Sequence, residues 1–521
     1  MAIGCGEPPP DNVAGRPCAP RGPALPWFRE AAAASGVDFD FVAADFRGGA
    51  IAVADMDGDG LLDILAGSRS GGLALFRNRG DLSFGDDTAA AGLTRDGPAH
   101  FIAPGDLDND GDRDLLIAGD RILLYENRGG ARFAATGQDL GDGSATEHIL
   151  LVDLDADGWL DAYVSNRDRR DPERSRNRLL RNPGGALALE EVPGAAGADS
   201  TGLSWTASAF DADGDGDVDL HVANDTLVAD HGQPRPTGTM LPPDAFYRND
   251  GEDGELRLTD IAGELGLDGP RSSMGGLVAD FDGDQRLDLY ITDFGRKKLF
   301  AGAEAGGFAE RGEELGVAGT TRSDGICALA ANRESKACLL LSWGSQLADL
   351  DLDGHDDLVV LNGVSVIDGL PPPALVLRGP PPFQEIDAGL GCFEGHGLIA
   401  ADLDADDDLD LVASPRDGPL RLFENLAAGG RPGLSLALDG RQSNREGIGA
   451  VVSVRTSSGR RLVRVAGAGG VAQSSPPVLV HFGLGEDSAA EIEIRWPSGV
   501  RQELTAPEPG RRALIATEPA R

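Results

Sequence analysis

A nine-residue pattern, Asp-x-Asp-x-Asp-Gly-x-x-Asp, begins at Asp55 and returns six times along the chain. Carboxylates at positions one, three, five and nine, with glycine at six, let a tight loop close its oxygens around one hard cation. An all-oxygen shell of this kind suits calcium better than magnesium or zinc, because calcium is larger and tolerates flexible coordination. The candidate ligands are Asp55, Asp57, Asp59 and Asp63; Asp106, Asp108, Asp110 and Asp114; Asp153, Asp155, Asp157 and Asp161; Asp211, Asp213, Asp215 and Asp219; Asp280, Asp282, Asp284 and Asp288; Asp349, Asp351, Asp353 and Asp357; and Asp402, Asp404, Asp406 and Asp410. Solvated turns without metal need only one or two Asp each, whereas seven such sets in one register would repel themselves if nothing neutralised them. Two copies depart from the pattern. Gln285 and Asp407 replace the sixth-position glycine, where a left-handed backbone is expected and a non-glycine residue costs roughly 1 kcal/mol. Asp tolerates that conformation better than Gln, so the fifth loop is expected to hold its ion most weakly.

The first aspartates are spaced by 51, 47, 58, 69, 69 and 53 residues, a period that signals a propeller or a solenoid. Short apolar runs flank each loop, such as Ile51-Ala52-Val53-Ala54 before and Ile64-Leu65-Ala66 after. They have strand length, which makes the loop a hairpin connection and disfavours a helix-loop-helix site. A third strand ends in Asn and a glycine turn, as in Leu75-Phe76-Arg77-Asn78-Arg79-Gly80, and a fourth follows, as in Leu82-Ser83-Phe84. Four strands in each of seven repeats predict an all-β fold, a seven-bladed β-propeller with calcium loops. The apolar run before each loop would be the innermost strand, covered on both faces. After Asn425 the Asp loops stop and alternating strands such as Val451-Val452-Ser453-Val454-Arg455 predict a small C-terminal β domain. The expected divisions are a linker over 1–26, the propeller over 27–427 and the C-terminal domain over 428–521.

Acidic residues number 86 against 46 basic ones, a formal charge of -40. Such a surface repels nucleic acid and anionic membrane, so both are poor candidate partners and no nucleic acid is expected. Of these acids 33 lie in the seven loops, so much of the charge is ligand chemistry. No apolar run of about 18 residues is present, so no transmembrane segment is expected. Ala2-Ile3-Gly4-Cys5 looks like the end of a bacterial lipoprotein cleavage site, with Cys5 as a lipid anchor ahead of a Pro/Gly linker. Cys327 and Cys338 share one polar insertion and would suit a loop-closing disulfide in an oxidising compartment, or two free thiols; Cys5, Cys18 and Cys392 show no mutual logic.

The Asp loops between propeller strands resemble the FG-GAP/VCBS repeat of the integrin alpha-subunit propeller and of many secreted bacterial proteins. In the tail, Asn444-Arg445-Glu446-Gly447-Ile448-Gly449-Ala450, Phe482-Gly483-Leu484-Gly485 and Trp496-Pro497-Ser498-Gly499 together resemble the ASPIC/UnbV domain, which accompanies VCBS repeats in the cartilage acidic protein-like family. The resemblance spans about 27 to 516. It implies a secreted, calcium-binding, largely β protein with up to seven ions, the position-seven backbone carbonyl completing each shell, and it implies no single activity.

Six residues before each loop stand Gly49, His100, Glu147, Trp205, Met274, Trp343 and His396. In a propeller these ring the channel mouth, at the end of the inner strand away from the loops. Two Trp, two His and a Glu there either stack and hydrogen-bond a small ligand such as a sugar, or plug the channel. The long insertions at Arg167 to Arg178, Thr226 to Asp244 and Gly363 to Pro373 follow the second strand and return to the same face, where the insertion at about Thr320 to Leu339 also belongs. A protein or glycan ligand is expected at this mouth face. Catalytic motifs are absent: there is no His-Glu-x-x-His, no Gly-x-Ser-x-Gly and no phosphate loop. The leading expectation is a monomeric, extracytoplasmic adhesion or ligand-binding module stabilised by calcium. The alternatives are an enzyme using His100, Glu147 or His396 on a carbohydrate-like substrate, and a purely structural surface scaffold.

Overall fold

The computed structural model describes residues 22–520 apart from 44–46, 95–96, 142, 144, 186, 227–240, 252–254, 305, 320–340, 364–371 and 506–513. Cys5, Cys18, Cys327 and Cys338, the lipid-anchor position and most of three mouth-face insertions lie outside the described residues.

Each repeat folds into an antiparallel four-stranded sheet in which the loop-preceding run is innermost. In the first, Ala50–Ala54 is followed outward by Asp63–Gly67, Leu73–Asn78 and Phe84–Asp86. The two inner strands are buried along their whole length, which fits their apolar, non-alternating sequence. The remaining inner strands are Phe101–Gly105, Thr146–Val152, Ser204–Phe210, Ser273–Ala279, Ser342–Ala348 and Gly395–Ala401. Each packs on the next and the last packs back on the first, closing a propeller-like ring. A hydrophobic cluster fills each space between neighbouring sheets, as where Leu150 and Tyr163 meet Ala207 and Val222.

The sequence reading gave every repeat four strands of its own, and the last sheet differs. Its outer strand is Phe28–Glu30, which precedes the first sheet in sequence, paired antiparallel to Arg421–Asn425 with Phe28 opposite Asn425.

The Asn at the end of the third strand has a role its position did not reveal. Asn78 Nδ2 donates to the Leu403 carbonyl at 2.8 Å, Asn127 to Met56 at 2.9 Å, Asn182 to Leu107 at 2.7 Å, Asn249 to Leu154 at 2.8 Å and Asn425 to Leu350 at 2.8 Å. Every acceptor is the second residue of the Asp loop in the preceding sheet, so one loop is tied to the next around the ring. Gly302 and Gly379 take the Asn position in the fifth and sixth sheets and offer no side-chain donor.

From Gly433 the chain builds a second β unit. Leu479–Gly483, Gly433–Asp439 and Leu514–Thr517 form one sheet; Arg461–Val465, Val451–Thr456, Ala489–Arg495 and Arg501–Thr505 form the other. They enclose a separate core that includes Leu436, Val452, Phe482, Ile494 and Trp496. Residues 466–475 leave this unit and enter the channel of the ring. There the carbonyls of Ala468, Gly470 and Gln473 accept from the amides of Ala209 (2.8 Å), Gly276 (2.9 Å) and Ile51 (3.0 Å), on three different inner strands. Ser474–Ser475 then runs parallel to Ile51 and Ala52 as an extra strand.

Replacing Asn182 with Ala strands the buried Leu107 carbonyl and should cost about 1 to 3 kcal/mol. A lowered urea midpoint is the expected reading.

Candidate metal loops and channel mouth

The geometry of the first loop follows from its short acids. Asp55 accepts from the amides of Gly58 (2.8 Å) and Gly60 (3.0 Å), Asp57 from Asp59 (3.1 Å) and Asp59 from Leu61 (2.9 Å). These local bonds coil the backbone, as such side chains commonly do in turns. Asp63, at position nine, accepts from Met56 (3.0 Å) within the loop and from Asn78 (2.8 Å) on the third strand. One oxygen from each of Asp55, Asp57 and Asp63 then lies within 4.8 Å of the others, and the equivalent three converge at Asp106, Asp211 and Asp280. In the third loop the converging set is Asp153, Asp155 and Asp157, which brings in position five; two further clusters of three or more possible ligands exist among the described residues. Position five in the first loop instead serves the position-seven amide.

These residues fit a cation. Donors are all oxygen, and Asp153 Oδ1, Asp404 Oδ1 and Asp408 Oδ1 are buried without a hydrogen-bond partner. Burial pushes Asp63 up to about 7, Asp114 to about 8 and Asp357 to about 9, the response of carboxylates desolvated without a counter-charge. Arginines partly supply one: Arg181 pairs with Asp155, Arg311 with Asp282, and Arg378 with Asp351 (2.7 Å) and Asp353 (2.8 Å). The sixth position has positive φ in the two exceptional loops, 73° at Gln285 and 76° at Asp407, so the strain expected from the sequence is present.

The C-terminal unit sits on this loop face. Glu446 accepts from the Asp106 amide (3.0 Å) and from Arg113 Nε (2.6 Å), while Arg495 reaches Asp211 at 2.6 Å. His481 Nε2 lies 3.1 Å from the Asp407 carbonyl, and Arg431 donates to the Asp351 carbonyl at 2.5 Å. Gly483 packs so closely on the Asp349 carboxylate that any side chain would overlap it. Sequence reasoning used Glu446 and Gly483 only as motif letters. Their chemistry is contact with the metal loops, which no pattern within the tail discloses.

At the other end, counting back six residues locates the β-bulges. Register shifts bracket Glu147, Trp205, Met274 and His396, and one spans the segment containing Trp343. A bulge turns its side chain out of the pleat, here toward the axis. Trp205 and Trp343 meet edge to face at 4.9 Å, Trp343 lies 4.5 Å from His396, and Arg167 stands 4.1 Å over Trp205. Trp205, Met274 and Trp343 are buried with Leu341 and Ala472, the last from the inserted segment. Burial opposes ionisation of Glu147, but Arg69 and Arg47, aided by Arg167 and His100, hold its pKa below the usual range. His100 is half-buried; burial and then Arg69 lower it to about 4, so it is neutral near pH 7. Another polar cluster has an acid, a histidine and a serine: Ser273 Oγ donates to Asp244 at 2.8 Å, with His221 Nε2 3.6 Å away. It is fully buried and matches the Tyr163–Asn177–Ser204 tie one sheet earlier, where Asn177 donates to both hydroxyls. Its geometry is that of an inter-strand tie.

Comparison with known proteins follows this division. The FG-GAP-like repeat family matches residues 55–117 and 106–164, and the ASPIC and UnbV family matches 440–521. The chain carries FG-GAP-like repeats followed by an ASPIC/UnbV domain. It is 23% identical to mouse cartilage acidic protein 1 over 466 residues, covering 76% of this chain and 70% of that protein. For the human protein the identity is 23% over 462 residues, with 76% and 68% covered. Among solved structures it is similar to an Agrocybe aegerita lectin described as recognising non-reducing terminal N-acetylglucosamine (TM-score 0.40, 18% identity, 65% of this chain and 80% of that one). It is also similar to BBS1N in complex with ARL6DN (TM-score 0.39, 12% identity, 75% and 97% covered). No described helix is long and apolar enough to cross a membrane.

Two outcomes follow for the FG-GAP loops. Gln285→Gly should tighten cation binding at the fifth loop about fivefold, the equivalent of roughly 1 kcal/mol, read by divalent-cation titration. The second outcome concerns pH. Burial pushes the position-nine carboxyls of Asp63, Asp114 and Asp357 up to about 7, 8 and 9 in the folded, metal-free protein, against 3.8 as the ordinary value. The folded state therefore binds protons that the unfolded chain does not, and metal-free protein gains stability as pH falls from about 8 to about 5. Saturating divalent cation should reverse that slope, because protons then compete with the ion; thermal melts at several pH values check both signs.

Proposed function

We propose that this chain is an extracytoplasmic ligand-binding or adhesion propeller, loaded with calcium at its Asp loops and presenting its recognition surface on the opposite, mouth face. The observation that carries the reading is the position of the C-terminal unit: it covers loops of the Asp face through Asp106, Asp211, Asp351 and Asp407. The face left for a partner is the one to which the second-to-third-strand connections return, including the connection over residues 167–177. Rigid scaffolds commonly carry recognition on such connections.

Calcium is supported by an all-oxygen donor set on flexible loops. Positions one, three, five and nine, with the position-seven carbonyl, are the ligands in this reading. Bound ion supplies the missing counter-charge, so its binding energy becomes folding energy. An oxidising, extracytoplasmic setting is supported by Cys392, which is disulfide-bonded, a state favoured outside the reducing cytosol. The similarity to cartilage acidic protein 1 points the same way. In this reading Glu147, Trp205, Met274, Trp343 and His396 form the floor under the mouth, and half-buried His100 is the ring member available to a ligand.

A glycan array probed with calcium-loaded protein, followed by an adhesion assay on immobilised matrix protein, tests the reading. Retention without turnover is expected, with His100→Ala and Arg170→Ala, the latter exposed on the 167–177 connection, weakening it at unchanged melting temperature. Retention should be insensitive to pH between about 6 and 8, because His100 stays neutral there. Trp343→Ala should instead lower the melting temperature, since that side chain is 1% exposed. Turnover of a bound glycan, or binding indifferent to every mouth-face change, would overturn the assignment.

A further inference from the structure

We propose that the C-terminal unit is a cation-held stopper: ordered Asp loops keep it on the ring, and loss of the cation withdraws residues 466–475 from the channel. This rests on the cation-binding reading above. Most of the docking contacts depend on loop shape. Glu446 takes the Asp106 amide, the Arg445 amide meets Asn109 Oδ1 at 3.3 Å, Arg431 and Arg460 take the Asp351 and Gly354 carbonyls, and His481 meets the Asp407 carbonyl. Gly485 packs directly on the Asp353 carbonyl. Each acceptor or donor belongs to a loop that carries four to six aspartates, whose mutual repulsion opens it when nothing neutralises them.

An opposing attraction exists and is weaker. Arg495 with Asp211 and Arg464 with Asp356 would gain from a more negative loop, yet Arg495 is 31% exposed and screened by solvent. Arg113 with Glu446 is a third pair across this junction, where Glu446 also stands beside Asp106. Loss of loop shape, on which most of the contacts depend, outweighs the three ion pairs.

The inserted segment is held mainly through its backbone, by the Ala209, Gly276 and Ile51 amides and by the pairing of Ser474–Ser475 with Ile51 and Ala52. Ala466-Gly467-Ala468-Gly469-Gly470 is built of small residues, and its apolar anchor is Ala472 against Trp205, Met274 and Trp343. At its tip the buried Gln473 amide has no hydrogen-bond partner, in a backbone with φ of 54°. Withdrawal relieves both costs, and water entering the opened channel takes over the Ala209, Gly276 and Ile51 amides that lose their carbonyl partners. The C-terminal unit keeps its own core when released, and the channel side of both tryptophans is uncovered for a ligand.

Hydrogen–deuterium exchange on the full chain, with calcium and with chelator, decides the matter, with bound calcium measured on the same samples. In chelator the amides within 204–210, 273–279 and 466–475 should exchange on the order of tenfold faster or more, while 451–456 and 489–495 remain protected. Gly470 has φ of 80°, and a methyl there would overlap the Gly276 carbonyl. Gly470→Ala should therefore give the same fast exchange with calcium still bound at full stoichiometry; the wild-type comparison stands even if that variant does not fold. Unchanged protection after calcium has left, or equal loss of protection at 451–456, overturns the stopper alone. A chain that binds no calcium overturns both the stopper and the calcium reading.

Discussion

A buried carboxylate at the ninth position of each Asp loop joins elements that would otherwise have no reason to stay together. Asp63 accepts one amide from its own loop and another from Asn78 on the third strand, and the Asn78 side chain reaches the Leu403 carbonyl in the neighbouring loop. Repeated at five of the seven sheets, this links neighbouring Asp loops along most of the ring. Their carboxylates repel one another and are desolvated, so the same residues that organise the ring also load it with electrostatic cost. A hard cation bound there would turn that cost into cohesion. The cluster between the first and second sheets is rich in small residues, among them Ala50, Ala52, Ala54, Ala91, Ala99 and Ala131.

The face bearing the loops is also the face that receives the C-terminal unit. Its glycines and arginines meet loop carbonyls and carboxylates, and its inserted segment satisfies inner-strand amides at Ala209, Gly276 and Ile51 that would otherwise point into an empty channel. Buried amides without partners are costly, so the ring and the tail complete each other.

Much of the ring was legible because its signals are local. The Asp pattern, the apolar runs and the turn residues all act within a dozen positions, and the positive φ at Gln285 follows from the register of one loop. The mouth ring was legible as a position, since a fixed count from Asp finds the bulged residue. Its surroundings were not, because Arg47 and Arg69 reach Glu147 across 100 and 78 residues of sequence. Phe28–Glu30 as the outer strand of the last sheet, and Ala472 between two tryptophans, are likewise contacts between distant parts of the chain. A three-residue strand and a small-residue run carry too little pattern to announce such partners.

The closure of the last sheet bears on the order in which the protein can be made. Arg29 meets Glu424 across 395 residues, so this strand, made ahead of the first sheet, waits for nearly the whole ring before it finds its edge. Loop closure over such a separation is slow, and an unpaired apolar edge is open to wrong pairing in the interval. The strand is only three residues long and carries Arg29 and Glu30 on exposed positions, a composition that discourages such pairing. The joint that fastens the ring is thus kept short and charged, which suits a seam that must be the last to form.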